Sequence, residues 1–110
     1  MAYDEDLGRR VRDQLAAEAG VAEKAMFGGL AFLLNGNMAV GLSGAELMVR
    51  VGPEASDDAL ERPHTRPFDM TGRPMKGWIL VAPEGTAAER DLATWVAQGA
   101  GFARSLPAKR

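Results

Sequence analysis

The chain of 110 residues is 46% hydrophobic and 25% charged, a balance that excludes a disordered or fibrous chain and suits one domain around one core. Its formal net charge of -2 lacks the basic footprint of a stand-alone nucleic-acid binder. The absence of cysteine excludes disulfides, thiol nucleophiles and iron–sulfur ligation. No apolar run reaches the roughly 18 residues of a membrane span, and the acidic start Tyr3-Asp4-Glu5-Asp6 is unlike a secretory leader, so no membrane association and a cytoplasmic location are expected.

From Tyr3 to Ala19 the apolar residues Tyr3, Leu7, Val11 and Leu15 recur every four positions, which predicts an amphipathic first helix. Asp4, Glu5 and Asp6 suit its positive end, Gly20 stands where a left-handed cap is expected, and Gly8 weakens the first half. Glu23 to Phe27 is a predicted strand, with Gly28-Gly29 permitting a bend, a bulge or a close backbone approach. Leu30 to Leu34 and Met38 to Leu42 follow as strands across Asn35-Gly36, a pair suited to the positive φ angles of a type I′ turn. Ser43-Gly44-Ala45 then turns the chain into a strand from Glu46 to Val51.

Gly52-Pro53-Glu54 reads as a helix entry, with a short helix from Pro53 to Leu60 or Glu61, and Pro63 ends it in a loop that runs to Pro67. Phe68 to Met70, a turn at Thr71-Gly72-Arg73-Pro74 and Met75 to Val81 predict a second hairpin. Thr86-Ala87-Ala88-Glu89 has the spacing of a capping box before a third helix that carries Leu92, Trp95, Val96, Gly99 and Phe102 or Ala103 on one face. Gly99 and Gly101 either fray that helix or let it approach the sheet. Residues 107–110 are an expected disordered tail.

The fold class is thus α+β, an antiparallel sheet with helices in the order α-β-β-β-β-α-β-β-α. Several strands are apolar on both faces, where a half-solvated sheet alternates, and three helices are too few to cover both. A second copy of the chain is therefore expected on one face, most simply in a two-fold homodimer.

Met26-Phe27-Gly28-Gly29, the hairpin through Gly36, the strand Glu46 to Val51, Arg66-Pro67-Phe68-Asp69-Met70 and Met75-Lys76-Gly77-Trp78 stand in an order that resembles the TfoX/Sxy N-terminal domain family. The last helix, with Asp91-Leu92, Trp95-Val96 and Phe102-Ala103, fits as well. The resemblance covers nearly the whole chain. It implies an α+β fold like that of the secretion-chaperone-like group, often dimeric, in a bacterial cytoplasmic protein. Named members add a C-terminal domain and act as transcriptional coactivators of natural competence; this chain is expected to be a single-domain member. The family supplies no catalytic residues, and Met26, Phe27, Gly28, Gly29, Gly36, Gly77 and Trp78 are its structural motif.

No catalytic, cofactor or metal site is expected. Gly28-Gly29 leads into a strand, whereas a phosphate loop feeds a helix N-terminus. His64, the sole histidine, sits among Arg62, Pro63, Thr65 and Arg66 without an acid–base partner in view. Glu54, Asp57, Asp58 and Glu61 form a solvated helix face without the ligand alternation of a calcium loop, and Trp78 and Trp95 read as core residues packed together. Arg50, Arg66, Arg73 and Lys76 are the candidate interaction patch, with Arg66 and Lys76 meeting across the second hairpin beside Asp69. The resulting expectation is a non-enzymatic protein-interaction domain with an unidentified protein partner, plausibly an accessory in transcriptional regulation. Weak nucleic-acid binding through the basic 62–76 region and a small ligand in a dimer groove are the alternatives.

Overall fold

The computed structural model describes residues 3–26, 28–68 and 75–108. Phe27 of the glycine motif, Asp69, Met70, Arg73 and the expected Thr71–Pro74 turn lie outside them, as do Lys109 and Arg110. Three helices, α1 (Glu5–Gln14), α2 (Ser56–Leu60) and α3 (Glu89–Arg104), accompany six strands, β1 (Val21–Met26), β2 (Gly29–Leu34), β3 (Asn37–Ser43), β4 (Glu46–Arg50), β5 (Thr65–Pro67) and β6 (Trp78–Val81). The strands form one antiparallel sheet in the order β1-β2-β3-β4-β6-β5, and the element order is the one the sequence predicts.

The first four strands form a meander because each connection is a tight turn with the residues it needs. Met26 pairs with Gly29, so the glycine motif makes a full hairpin reversal, with Gly28 at φ 72°. At the next turn Asn35 and Gly36 have φ 53° and 85°, the positive pair that a type I′ hairpin requires. One extra residue, Ala39, bulges between the pairs Phe32↔Val40 and Leu33↔Met38, which returns β3 to the face it needs for packing.

All three helices lie on one face. Leu7 and Val11 of α1 with its C-cap Leu15, Ala59 of α2, and Leu92, Trp95, Val96, Ala100 and Ala103 of α3 share a cluster with Phe32, Val40, Leu42, Leu47, Val49, Ile79 and Val81 of the sheet. The Asp4 side chain caps α1 by accepting from the amides of Asp6 and Leu7, at 2.9 and 3.1 Å. The helix stops at Gln14, short of the predicted Ala19, because its buried stripe ends at Leu15 while Ala16, Ala17 and Ala19 face solvent. Gly20, expected as the cap, instead shapes the entry to β1, where its carbonyl accepts the Asn35 amide at 3.0 Å.

Gly8 packs against the Tyr3 ring and Leu42, and an added Cβ at Gly99 would stand 2.4 Å from the Ala39 carbonyl oxygen. Close packing, rather than fraying, explains Gly99, and α3 continues to Arg104. The capping box is not formed. Thr86 is buried and its hydroxyl donates to the Pro83 carbonyl, because a 3₁₀ turn at Pro83–Gly85 precedes the helix; Ala88 takes the cap position without a side-chain bond. Asn37, also buried, donates to the Pro107 carbonyl at 2.8 Å, which fixes the first residue of the expected tail.

Among the described residues the opposite face of the sheet carries no helix, yet Ala31, Met38, Met48, Phe68 and Leu80 form a second buried cluster there with Leu33 and Trp78 packed against it. The Met38 and Met48 methyls converge over Gly41, and Phe68 lies tilted 44° to Trp78 at 6.1 Å between ring centroids. The chain thus buries these side chains without a second copy. The two tryptophans expected to pack together are on opposite faces, Trp95 with the helices and Trp78 with this second cluster.

Ion pairs tie the helices to each other and to the sheet. Arg10 bonds Glu89 at 2.5 Å, Arg12 bonds Glu23 at 2.5 and 2.9 Å, and Arg104 pairs with Glu18. The hydrogen bond from Arg12 holds the Glu23 carboxyl below the usual glutamate range; burial opposes it, and the Arg12 charge adds a smaller pull in the same direction as the bond. A carboxyl more acidic in the folded chain contributes stability above its unfolded pKa and loses it as pH falls through the folded value. Both groups are a third or more exposed, so the contribution is held below about 1 kcal/mol. Glu23→Gln is expected to lower the urea midpoint near neutrality, and to lower it less at an acid pH well below the ordinary glutamate range, where the native carboxyl takes up its proton. An equal loss at both pH values would exclude this pair as the source.

Candidate interaction surface

The second hairpin joins β5 to β6, three residues earlier than predicted on its first arm. Thr65, Arg66 and Pro67 pair with Val81, Leu80 and Ile79, a stretch the flanking prolines make look like a loop. Pro67 is tolerated because β5 is the edge strand, and the Thr65 hydroxyl anchors it beneath α2 by donating to the Arg62 carbonyl at 2.8 Å. Beyond the ladder Phe68 donates to Trp78 and Met75 donates back to Phe68.

This register separates Arg66 from Lys76. Arg66 stands opposite Leu80 and donates to both oxygens of Glu46, at 2.6 and 3.2 Å, across the intervening strand. Lys76 is exposed in the turn before Trp78, at the other end of the strand. Arg73 and the proposed counter-ion Asp69 lie outside the described residues.

Arg50 packs on Trp78, and Lys76 shares the wall of a depression with that ring. Arg50 ends β4 directly opposite Trp78, and its guanidinium lies 5.2 Å from the indole centroid and 5.4 Å from the Phe102 ring, within the range of cation–π attraction. Two glycines let these elements approach. Gly77, at φ 94°, offers its carbonyl to the amides of both Val51 and Gly52, at 2.8 and 3.0 Å. Gly52, at φ 90°, leaves room for Phe102, whose ring would meet an added Cβ at 2.5 Å. Gly77-Trp78 of the family motif therefore forms the junction between β4, β6 and α3.

Two depressions open on either side of the segment Pro53–Leu60. One, of about 370 Å³, is lined by Val51, Gly52, Pro53, Glu54, Ala55 and Phe102. The other, of about 200 Å³, is lined by Leu60, Pro67, Met75, Lys76 and Trp78, with Ser56 and Asp57. Met75 is the one large apolar side chain exposed among the described residues. Phe102, read from the sequence as a helix-core residue, Met75, read as a hairpin residue, and Pro67, read as the end of a loop, are surface contributors. Their places follow from contacts between segments far apart in sequence, and no local pattern marks them.

The remaining candidates are structural or solvated. Arg62 points to the helix face, 3.4 Å from the Trp95 ring centroid and bonded to Gln98, so Arg62 and Arg66 occupy opposite sides of the sheet and the basic 62–76 stretch is no single patch. His64 is exposed at φ 67°, and its carbonyl accepts the Ala82 amide. Glu54, Asp57, Asp58 and Glu61 face solvent. Among the described residues no group of three or more His, Cys, Asp or Glu gathers as a metal site, and no helix is long and apolar enough to cross a membrane.

Fold and surface together define an α+β domain with its helices on one sheet face and an aromatic surface at the base of the second hairpin, where Trp78 stands beside residues of α2 and, through Arg50, Phe102 of α3. The family profile of the TfoX N-terminal domain matches residues 13–103, and the chain belongs to that family. No curated protein and no solved structure gives a significant match.

Proposed function

We propose that this domain is a non-enzymatic interaction module that binds another protein at the base of its second hairpin, as an accessory in transcriptional, competence-type regulation. The observation that carries this reading is the exposed Met75 beside Lys76 and half-buried Trp78, an apolar and aromatic surface with a charged rim of the kind that anchors protein contacts. The regulatory setting comes from family membership.

Arg62 and Arg66 are already engaged with Trp95, Gln98 and Glu46, which weighs against a nucleic-acid interface through 62–76. A photo-crosslinking amino acid in place of Met75 is expected to yield a discrete protein adduct in the source cell, whereas the same group at exposed Ala97 on α3 yields none. Adducts absent at 75, or equal at both positions, would remove the hairpin base from consideration.

A further inference from the structure

Arg50 is held in place without a carboxylate. Arg9, Arg10, Arg12, Arg66 and Arg104 each donate to an acidic side chain, whereas Arg50 lies against Trp78 and Phe102 and has no ion pair among the described residues. A guanidinium supported on aromatic faces is pre-oriented, and its N–H fork matches a carboxylate in a way an ammonium does not. Phe102 lines the larger depression and Trp78 the smaller, so this cation touches one aromatic wall residue of each. Lys76 adds a second positive charge at the rim of the smaller one.

We infer that this groove recognises an acidic peptide segment in which a carboxylate is flanked by apolar side chains: the carboxylate meets Arg50 and the apolar groups enter the two depressions. This rests on the protein-interaction reading and names the chemistry of the partner. Glu54 and Asp57 stand on the same walls. They repel the unbroken charge of a phosphate backbone, whereas a peptide can space its acids away from them.

The test uses the intact chain and three probes: a peptide with one Glu flanked by Leu residues in an otherwise uncharged sequence, the same peptide with Gln for that Glu, and a single-stranded oligothymidylate. The readouts are the NMR cross-peaks of the Trp78 indole N–H and the Arg50 Nε–H. The acidic peptide is expected to shift both, and its Gln counterpart to bind roughly tenfold more weakly, the loss of one charge-assisted hydrogen bond. Arg50→Gln should bring the acidic peptide down to the Gln level, with Arg50→Lys between, because it keeps the charge and loses the fork. Equal binding of acidic and neutral peptides, no binding of either, or tighter binding of the oligothymidylate would overturn the inference. Should Arg50→Gln fail to fold, the comparison of probes on the unaltered chain still decides. If the Met75 crosslink forms while the unaltered chain binds the acidic and neutral peptides equally, the interaction reading stands and this inference alone falls.

Discussion

Gly29→Ala is expected to destabilise the domain by about 3 kcal/mol or more, at the upper end of overpacking costs. An added Cβ at position 29 would lie 1.8 Å from the carbonyl oxygen of Leu42 and 3.0 Å from its carbonyl carbon. Those are backbone atoms of β3, a strand paired on both sides, so relief requires two ladders to move. At about 4–8 °C per kcal/mol for a domain near this size, the melting temperature should fall by on the order of 15 °C. Gly28→Ala is the control, because its Cβ meets nothing within 4 Å and its cost is the positive φ of 72°, about 1–2 kcal/mol for alanine. Thermal unfolding of the two variants side by side checks the argument. Equal losses would mean that turn conformation, not close approach to Leu42, explains the second glycine of the motif.

That distinction shows what local sequence can carry. The glycine pair reads as a bend or close approach from residue type alone, yet which glycine serves which purpose depends on β3, about a dozen residues further along the chain. Asn35-Gly36 was legible because its φ requirement is local. The end of α1 was not, since Ala16, Ala17 and Ala19 suit a helix and only the limit of the buried stripe at Leu15 stops it. β5 was hidden by its prolines, whose missing amides matter little in a strand paired on one side. Thr86 has the spacing of a cap, but the preceding 3₁₀ turn offers its hydroxyl the Pro83 carbonyl instead.

The candidate surface divides in the same way. Arg50 and Lys76 were legible as basic residues near the second hairpin. The stacking of Arg50 on Trp78 depends on the β4–β6 register and on Phe102, and hence on the whole fold. The apolar character of both sheet faces was also legible. What was not legible is how far the chain buries the helix-free face by itself: the Met38 and Met48 methyls converge over Gly41 and Phe68 joins the same cluster, and side-chain reach of this kind leaves no trace in alternation patterns.

The two tryptophans provide the sharpest separation of stability from binding. Trp95 is 2% exposed in the main cluster and carries the Arg62 guanidinium 3.4 Å from its ring centroid. Trp95→Ala should therefore cost about 3–5 kcal/mol through the cavity it leaves and also release Arg62. Arg62→Ala in the two backgrounds isolates that contact: its effect should shrink by about 0.5–2 kcal/mol once Trp95 is gone, the range for cation–π pairs from exposed to desolvated. Trp78, half-buried on the other face beside Phe68 and Arg50, fills less of a core, so Trp78→Ala should shift the denaturant midpoint less than Trp95→Ala. It should nonetheless abolish the preference for the acidic peptide, because Arg50 loses the surface that orients it. Loss of peptide preference in a folded Trp95→Ala variant, with preference kept in Trp78→Ala, would place recognition on the helix face and contradict the assignment of the hairpin base as the binding side.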